Sequence, residues 1–333
     1  MGNEHSTSTK SSALTNSLHE IIETSYCYKY AERTKDPLGK HCFIHDWYHT
    51  LEYLLNRKID DWRKKEELMS KSFYGVTCLH SACAKNANRP RHASPDVIKL
   101  MIKIGGMDLL MVKDDHCDYT PLQMLAYDHN TSIYIMEVLL VNGGGKELIM
   151  KSGHAYGYTM LHELCIASTK WEEEDGALAR INLVLRFGGK DLLFSTTEKM
   201  GRTALHLSCM EHASVNVIDI LVNENGKELV MLKDNDGMTA LHFLCLEFDE
   251  DLDPTCILKI VLLLDCAGKD LLKEQTDAGE TAYDFAKAGG ASDEVLEALV
   301  YKKSFFSLGW KASPKQEIPP TSQTEVETFI CSP

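Results

Sequence analysis

The chain has 333 residues, of which 44% are hydrophobic and 25% are charged, a composition typical of a folded, water-soluble protein. Its net charge of -14 repels phosphate backbones and argues against nucleic-acid binding. No apolar run is long enough to span a membrane, and no secretory signal opens the sequence. The eleven cysteines include no Cys-x-x-Cys pair, so we expect reduced thiols in a cytoplasmic protein.

The first six residues fit the N-myristoylation pattern, with Gly2 as the acceptor and Ser6 at the required position. One myristoyl chain holds a protein to a membrane only weakly and reversibly, and the flanking residues supply no basic cluster. One interpretation is therefore weak membrane contact through a myristoylated Gly2. The alternative is an ordinary disordered N-terminus over residues 1–13.

Residues 14–74 have the apolar spacing of helices but lack the phrase that recurs further along the chain. Asp46 is placed to cap a helix that contains Trp47 and Leu51. We interpret this segment as a helical N-terminal cap for the repeats that follow, or as a degenerate repeat. The apolar helix face predicted at its start consists of Leu14, Leu18, Ile21 and Ile22.

One phrase of the type Gly-x-Thr-x-Leu-His recurs six times between residues 75 and 300. Its copies start near residues 75, 118, 157, 201, 237 and 279, so they are 36 to 44 residues apart. Self-similarity at this period is typical of a solenoid, in which each unit buries its apolar side against its neighbours. The threonines of the six copies are Thr77, Thr120, Thr159, Thr203, Thr239 and Thr281.

Each residue of the phrase has a physical role. The threonine hydroxyl can cap the free N–H groups of a helix start, and Pro121 suits the first helical position. The glycine two residues before the threonine suits a turn with a positive φ, which Asp118 tolerates better than most residues in the copy where it replaces glycine. The phrase therefore predicts a helix that begins directly after each threonine.

A second phrase follows each of the first five copies, as in residues 102–110 and 184–193. It consists of an apolar helix, then Gly or Asn-Gly, then a short apolar step. Glycine commonly ends a helix in the left-handed conformation. The repeating unit is therefore helix, loop, helix and projecting turn, and the predicted fold class is all-α.

The Gly-x-Thr-x-Leu-His phrase resembles the signature of the ankyrin repeat family, over about residues 75–300. The resemblance implies an ankyrin-type helical solenoid of stacked helix-turn-helix repeats with projecting hairpin turns. It also implies that a protein partner binds the concave face formed by the turns and the first helices. The histidines that would support hairpin hydrogen bonds are His80, His162, His206 and His242.

These repeats are longer than the family's unit of about 33 residues. The additional residues lie mainly between the two helices, at 86–92, 172–176 and 249–254. Such inserts emerge as loops on one side of an array, often a binding side. We therefore expect partner contacts from the inserts and from the projecting turns. The turn residues with this predicted role are Asp114, Asp115, Lys233, Asp234, Asn235, Asp236 and Asp277.

No motif favours catalysis, and we expect neither an enzyme nor a cofactor. Histidine and cysteine recur three residues apart, as in His80 and Cys83, which would place two metal ligands on one helix face. We favour structural roles for both, because four repeats would have to converge on one ion. The Gly-Lys-Asp/Glu steps lack the hydroxyl of a phosphate loop, and residues 249–253 start a calcium loop that the following residues do not complete.

Residues 301–310 combine lysines with aromatic side chains and are predicted to form a helical C-terminal cap, with membrane contact as the alternative. Residues 311–333 are rich in Pro, Ser, Thr and Glu, which predicts disorder. The leading hypothesis is a cytoplasmic adaptor that binds a protein partner. A myristoylated peripheral membrane scaffold is the alternative, and a metal protein or enzyme is a third interpretation.

Overall fold

A computed structural model describes residues 38, 46–72, 75–83, 93–127, 133–151, 153, 156–170, 174–223, 226–246 and 255–300. All structural statements concern these residues. Several predicted features lie wholly or partly outside them. They are the N-terminus with Gly2, the apolar face of Leu14, Leu18, Ile21 and Ile22, the inserts at 86–92, 172–176 and 249–254, and residues 301–310 and 311–333.

The described residues consist mainly of helices. The helices are α1 Trp47–Leu55, α2 Asp61–Met69, α3 Cys78–Cys83, α4 Pro95–Leu110, α5 Pro121–Tyr127, α6 Ile133–Asn142, α7 Lys146–Met150, α8 Met160–Ser168, α9 Glu174–Leu193, α10 Ala204–Met210, α11 Val215–Val222, α12 Gly226–Val230, α13 Ala240–Leu246, α14 Cys256–Ala267, a 3-10 turn Leu271–Lys273, α15 Ala282–Ala288 and α16 Asp293–Val300.

The repeats stack into two layers of helices. The first helices α3, α5, α8, α10, α13 and α15 each pack against the next one along the array. The second helices α4, α6, α9, α11, α14 and α16 do the same in the other layer. Apolar side chains between the layers form one continuous core, because a single repeat cannot cover its own apolar face. The predicted all-α solenoid is confirmed.

Each first helix begins directly after its threonine, as the recurrent phrase predicts. The glycine two residues earlier adopts a positive φ, for example 67° at Gly201, and Asp118 takes the same role with φ 58°. A turn that projects from the array precedes each later threonine. We call these turns finger 2 (residues 112–119), finger 3 (the described residues 151, 153 and 156–158), finger 4 (195–202), finger 5 (232–238) and finger 6 (274–280).

The short apolar segment that follows the second helix in the first five repeats is helical, which the sequence analysis did not predict. Gly106 (φ 66°) and Gly189 (φ 58°) bend α4 and α9, and each helix then continues for one further turn. In other repeats the equivalent turn is separate, as α7, α12 and the 3-10 turn. The step is helical because its adjacent apolar side chains, such as Leu109 and Leu110, are buried in the core. The repeat therefore contains a third, one-turn helix.

The Gly-Lys-Asp/Glu steps form ion pairs between neighbouring repeats. Lys190 Nζ lies 2.7 Å from Glu228 Oε2, and Lys146 pairs in the same way with Asp191. Lys65 on α2 extends the pattern to the N-terminal side, where its Nζ lies 2.7 Å from Asp108 Oδ2. These side chains are exposed, so their pairing aligns the repeats rather than adding much stability.

The N-terminal side of the array is covered by α1 and α2, which pack against α4. Asp46 caps α1 by accepting a hydrogen bond from the His49 backbone N–H at 3.3 Å, and Leu38 is fully buried in the common core. Within the described ranges, no helix has both the length and the apolar character needed to cross a membrane.

The close contact between fingers makes a specific stability prediction. A Cβ atom at Gly237 would lie 2.8 Å from the Asp277 backbone nitrogen, whereas one at Gly279 would meet nothing within 4 Å. Both glycines occupy the same position of the repeated phrase and have a positive φ, 75° and 82°, so alanine costs about 1–2 kcal/mol of backbone strain at either site. We expect Gly237→Ala to lower the free energy of unfolding clearly more than Gly279→Ala, as measured by urea denaturation. Equal losses would contradict the finger packing.

Candidate partner-binding surface

A threonine–histidine pair closes the start of the first helix in four repeats. In the first of them, the Thr77 backbone nitrogen and hydroxyl oxygen lie 3.2 and 2.8 Å from His80 Nδ1. The Thr77 hydroxyl oxygen accepts a hydrogen bond from the His80 backbone N–H at 3.5 Å. Polar groups at the buried helix start are therefore satisfied locally. The same Nδ1 contacts occur in the pairs Thr159–His162, Thr203–His206 and Thr239–His242.

The other ring nitrogen of the histidine connects one repeat to the next. His80 Nε2 lies 3.0 Å from the carbonyl oxygen of Tyr119, in finger 2. Because a carbonyl oxygen only accepts, Nε2 carries the proton and Nδ1 accepts from the threonine. The corresponding contacts, at 3.1 Å, run from His162 to Arg202 and from His206 to Leu232. His242 is the exception among the four described histidines, because its Nε2 is buried without a hydrogen-bond partner.

Two repeats have another residue in place of this histidine, Gln123 in the second and Asp284 in the sixth. Gln123 Oε1 accepts from the Thr120 backbone and hydroxyl, while its Nε2 donates at 3.3 Å to the carbonyl oxygens of Lys151 and Tyr158 in finger 3. Glutamine thus reproduces both functions of the imidazole. In the sixth repeat, Asp284 Oδ2 accepts from both Thr281 groups, but a carboxylate cannot donate onward. The sequence phrase alone does not indicate this difference.

Burial holds the bridging histidines in the neutral form. Loss of hydration lowers the pKa of His80, His162 and His206 to about 4, and it lowers the pKa of His242 as well. Protonation of Nδ1 would place a proton opposite the threonine N–H donor and break the cap. The histidines are therefore structural parts of the fold at neutral pH.

The cysteines that follow the histidines are packing residues. Cys83, Cys165, Cys209 and Cys245 are fully buried, and burial raises the pKa of the Cys165 thiol to about 12. No group of three or more His, Cys, Asp or Glu side chains within the described part of the chain could hold a metal ion. Both ring nitrogens of His80, His162 and His206, three residues before the first three of these thiols, already have hydrogen-bond partners. Their local geometry thus favours the structural interpretation.

Two of the predicted partner-binding residues support the fingers from inside. Asp114 Oδ1 accepts from the backbone N–H groups of His116 and Cys117 at 2.9 and 2.7 Å. Asp234 Oδ1 likewise accepts from Asp236 and Met238, each at 3.0 Å. Asp114 and Asp234 are both buried. Their carboxylates hold the turns in shape and are not presented to solvent.

The other predicted residues lie on exposed parts of the fingers. Lys233 Nζ contacts Glu274 Oε2 at 2.8 Å, and Asn235 Nδ2 donates to the Lys199 carbonyl oxygen at 3.0 Å. Asp115 pairs with Lys71 at 3.0 Å. Most of these groups therefore join one finger to its neighbour. The structure leaves Asp236 and Asp277 exposed at the tips of fingers 5 and 6.

Arg202 is a residue of the candidate surface that the sequence analysis did not single out. It occupies the variable position between Gly201 and Thr203, and its Nε lies 3.2 Å from Asp234 Oδ2. Its guanidinium carbon lies 4.6 Å from the centre of the Phe243 ring, and its Nη1 lies 3.4 Å from Met210 Sδ. The sequence did carry a signal for this contact, because an arginine at this variable position is followed by Asp234 in the next finger.

An apolar row accompanies Arg202 on the side of the fingers and first helices. Tyr156 in finger 3 is 44% exposed and stacks on Tyr158, with ring centres 5.7 Å apart. Met210 on α10 is half-buried, and Leu246, at the equivalent position on α13, is 43% exposed. The packed first helices thus carry an apolar surface next to an ordered arginine.

The stacked helix pairs, the capped first helices and the projecting fingers together define the ankyrin repeat fold. A comparison with solved structures matches the chain to the crystal structure of the ankyrin repeat domain of Bcl-3, which is described as a unique member of the IkappaB protein family. The TM-score is 0.58 and the sequence identity is 18%, over 79% of this chain and 97% of that one. Comparisons with protein-family models and with curated proteins found no match.

The histidine bridges predict an acid-sensitive fold. Between about pH 6.5 and 4 the unfolded chain binds protons at His80, His162 and His206 that the folded chain excludes. Stability is therefore complete above this window and falls as the pH decreases through it. Since one pKa unit is worth about 1.4 kcal/mol, each histidine contributes up to roughly 3 kcal/mol. Urea unfolding at pH 7, 6 and 5 would measure the slope.

Two reciprocal substitutions test whether the bridging histidines cause this pH dependence of stability. His206→Gln should reduce the pH dependence, because Gln123 already shows that glutamine can accept from the threonine and donate to the next finger. Gln123→His should increase it. The explanation fails if both variants keep the wild-type slope.

Proposed function

We propose that this chain is a non-catalytic adaptor of the cytoplasm, which binds a partner protein through its fingers and first helices. The partly exposed apolar row beside Arg202 is the observation that supports this proposal most directly. Tyrosine, methionine and arginine are enriched in protein–protein interfaces, where a few of them supply most of the binding energy. The similarity in fold to an ankyrin repeat domain also supports a protein-binding role in general.

Backbone hydrogen bonds between neighbouring fingers also favour partner binding. The Asn235 backbone N–H donates to the Met200 carbonyl oxygen at 3.0 Å, and the Asp277 N–H donates to the Asp236 carbonyl oxygen at 3.1 Å. Fingers 4, 5 and 6 are thus ordered before a partner arrives. A pre-ordered surface loses less conformational entropy on binding, which increases affinity.

The proposed surface includes those turn residues, predicted from the sequence to contact a partner, whose side chains are exposed. Asp115, Lys233, Asn235, Asp236 and Asp277 lie on the fingers and are proposed to form its polar rim. Asp114 and Asp234 act through the turn shape that they maintain. Charge reversal at these two buried positions would disturb the fingers themselves, so they are poor tests of binding.

A pair of tyrosines provides a matched experiment. Tyr156 on finger 3 and Tyr134 on the second helix α6 are 44% and 48% exposed. Leu246 and Val141 offer a similar pair, on α13 and α6 respectively. We expect Tyr156→Ala with Leu246→Ser to weaken capture of protein partners at least about tenfold, and Tyr134→Ala with Val141→Ser to leave it intact.

The readout is quantitative mass spectrometry of proteins retained by the immobilised full chain. Circular dichroism of each variant provides the control for folding. Loss of the same partners with the α6 variant, and not with the finger variant, would move the interface to the outer layer and overturn the proposed surface.

The alternative role as a peripheral membrane scaffold rests on the N-terminal sequence pattern. Gly2 lies outside the described residues. If Gly2 is acylated, metabolic labelling with a myristate analogue will mark the wild-type chain and not Gly2→Ala. The absence of a Gly2-dependent label would end this alternative, whereas a label would add weak membrane contact to the adaptor role.

A further inference from the structure

Three carboxylates stand at the edge of the last two fingers. Asp236 in finger 5 and Asp277 and Glu280 in finger 6 are all exposed. Among the residues that the structure describes, no cation forms an ion pair with any of them. These three carboxylates are therefore available to a positively charged ligand at this edge.

The nearby cations are already engaged. Lys233 Nζ contacts Glu274 Oε2 at 2.8 Å and the Gln275 carbonyl oxygen at 2.9 Å. Arg202 is held by Asp234, and Lys199 Nζ lies 5.0 Å from the centre of the Tyr156 ring. These contacts leave the three carboxylates as the main charge available to a ligand at this edge.

The spacing of the fingers fits an extended chain. The hydrogen bond from the Asp277 N–H to the Asp236 carbonyl oxygen fixes the two fingers side by side. Packed helices, and hence successive repeats, lie about 8–10 Å apart. A segment in the extended polyproline II conformation has three residues per turn and advances about 3.1 Å per residue, so every third side chain points the same way and would meet a new finger.

An aliphatic row lies in parallel on the first helices. Ile166, Met210 and Leu246 each follow the threonine of their repeat by seven residues, on the successive helices α8, α10 and α13. Ile166 and Met210 are half-buried, and Leu246 is exposed. A segment that places charges on the fingers could therefore also place an apolar side chain on this row.

We infer that the partner presents a basic, extended segment, with lysine or arginine at every third residue and an apolar side chain turned toward α10 and α13. This inference rests on the proposed function and specifies the partner's chemistry. The basic groups would pair with Asp236, Asp277 and Glu280, and the apolar group would cover Met210 and Leu246. The net charge of -14 would also accelerate encounter with a basic partner.

Synthetic peptides provide the probe. The test peptide is fluorescein-labelled, has about twelve residues, and carries lysine at every third position, to match the three-residue period of polyproline II, with leucine between the lysines. One comparison peptide replaces the lysines with glutamate, and another replaces the leucines with serine. Fluorescence anisotropy with the full chain measures the affinity of each at low and at moderate salt.

Two triple variants separate location from net charge. The first combines Asp236→Lys, Asp277→Lys and Glu280→Lys. The second makes the same change of charge at exposed acids away from the fingers, with Asp96→Lys, Glu147→Lys and Asp175→Lys. We expect the finger variant to bind the lysine–leucine peptide at least about tenfold more weakly, and the control variant to stay within about twofold of the wild type.

The outcomes distinguish this inference from the proposed function. It is overturned if the glutamate peptide binds as well as the lysine peptide, if serine replaces leucine without loss, or if both triple variants bind equally. If Tyr156→Ala with Leu246→Ser still loses protein partners in that case, the adaptor role stands and only the basic partner is wrong. Circular dichroism must show unchanged helicity in both triple variants.

Discussion

In the repeats of His80, His162 and His206, a hydrogen bond from the histidine Nε2 to a carbonyl oxygen of the next finger joins two neighbouring repeats. The same imidazole accepts from the threonine that starts its own helix. One neutral side chain thus satisfies buried polar groups in two repeats at once. Because an unsatisfied buried group costs about 1–3 kcal/mol, loss of this bridge affects both repeats. Stability in such a stack is shared between neighbours.

This constraint explains which parts of the fold were predictable. Helix starts and positive-φ positions follow from local chemistry, so Thr203 and Gly201 indicated them correctly. The Lys190–Glu228 pair joins side chains 38 residues apart and requires knowledge of how the repeats are aligned. The one-turn helix after the second helix was missed because two adjacent apolar residues do not show helical periodicity.

The candidate site was harder to predict because residue type does not reveal the direction of a side chain. Aspartate in a turn can face solvent or accept from its own backbone, and Asp234 accepts while Asp236 is exposed. Tyr156 and Arg202 lie at variable positions, so the recurrent phrase did not mark them. Their contacts become visible only when neighbouring fingers are placed side by side. Variable positions on a repeated frame are where a partner can be specified.

The carboxylate of Asp284 has a consequence for how this array could change in length. A repeat inserted inside the stack can follow a residue such as His80 or Gln123, which donates a hydrogen bond to the next finger. A repeat added after the sixth would follow Asp284, whose carboxylate can only accept. Such an added repeat would therefore lack this hydrogen bond to the preceding repeat.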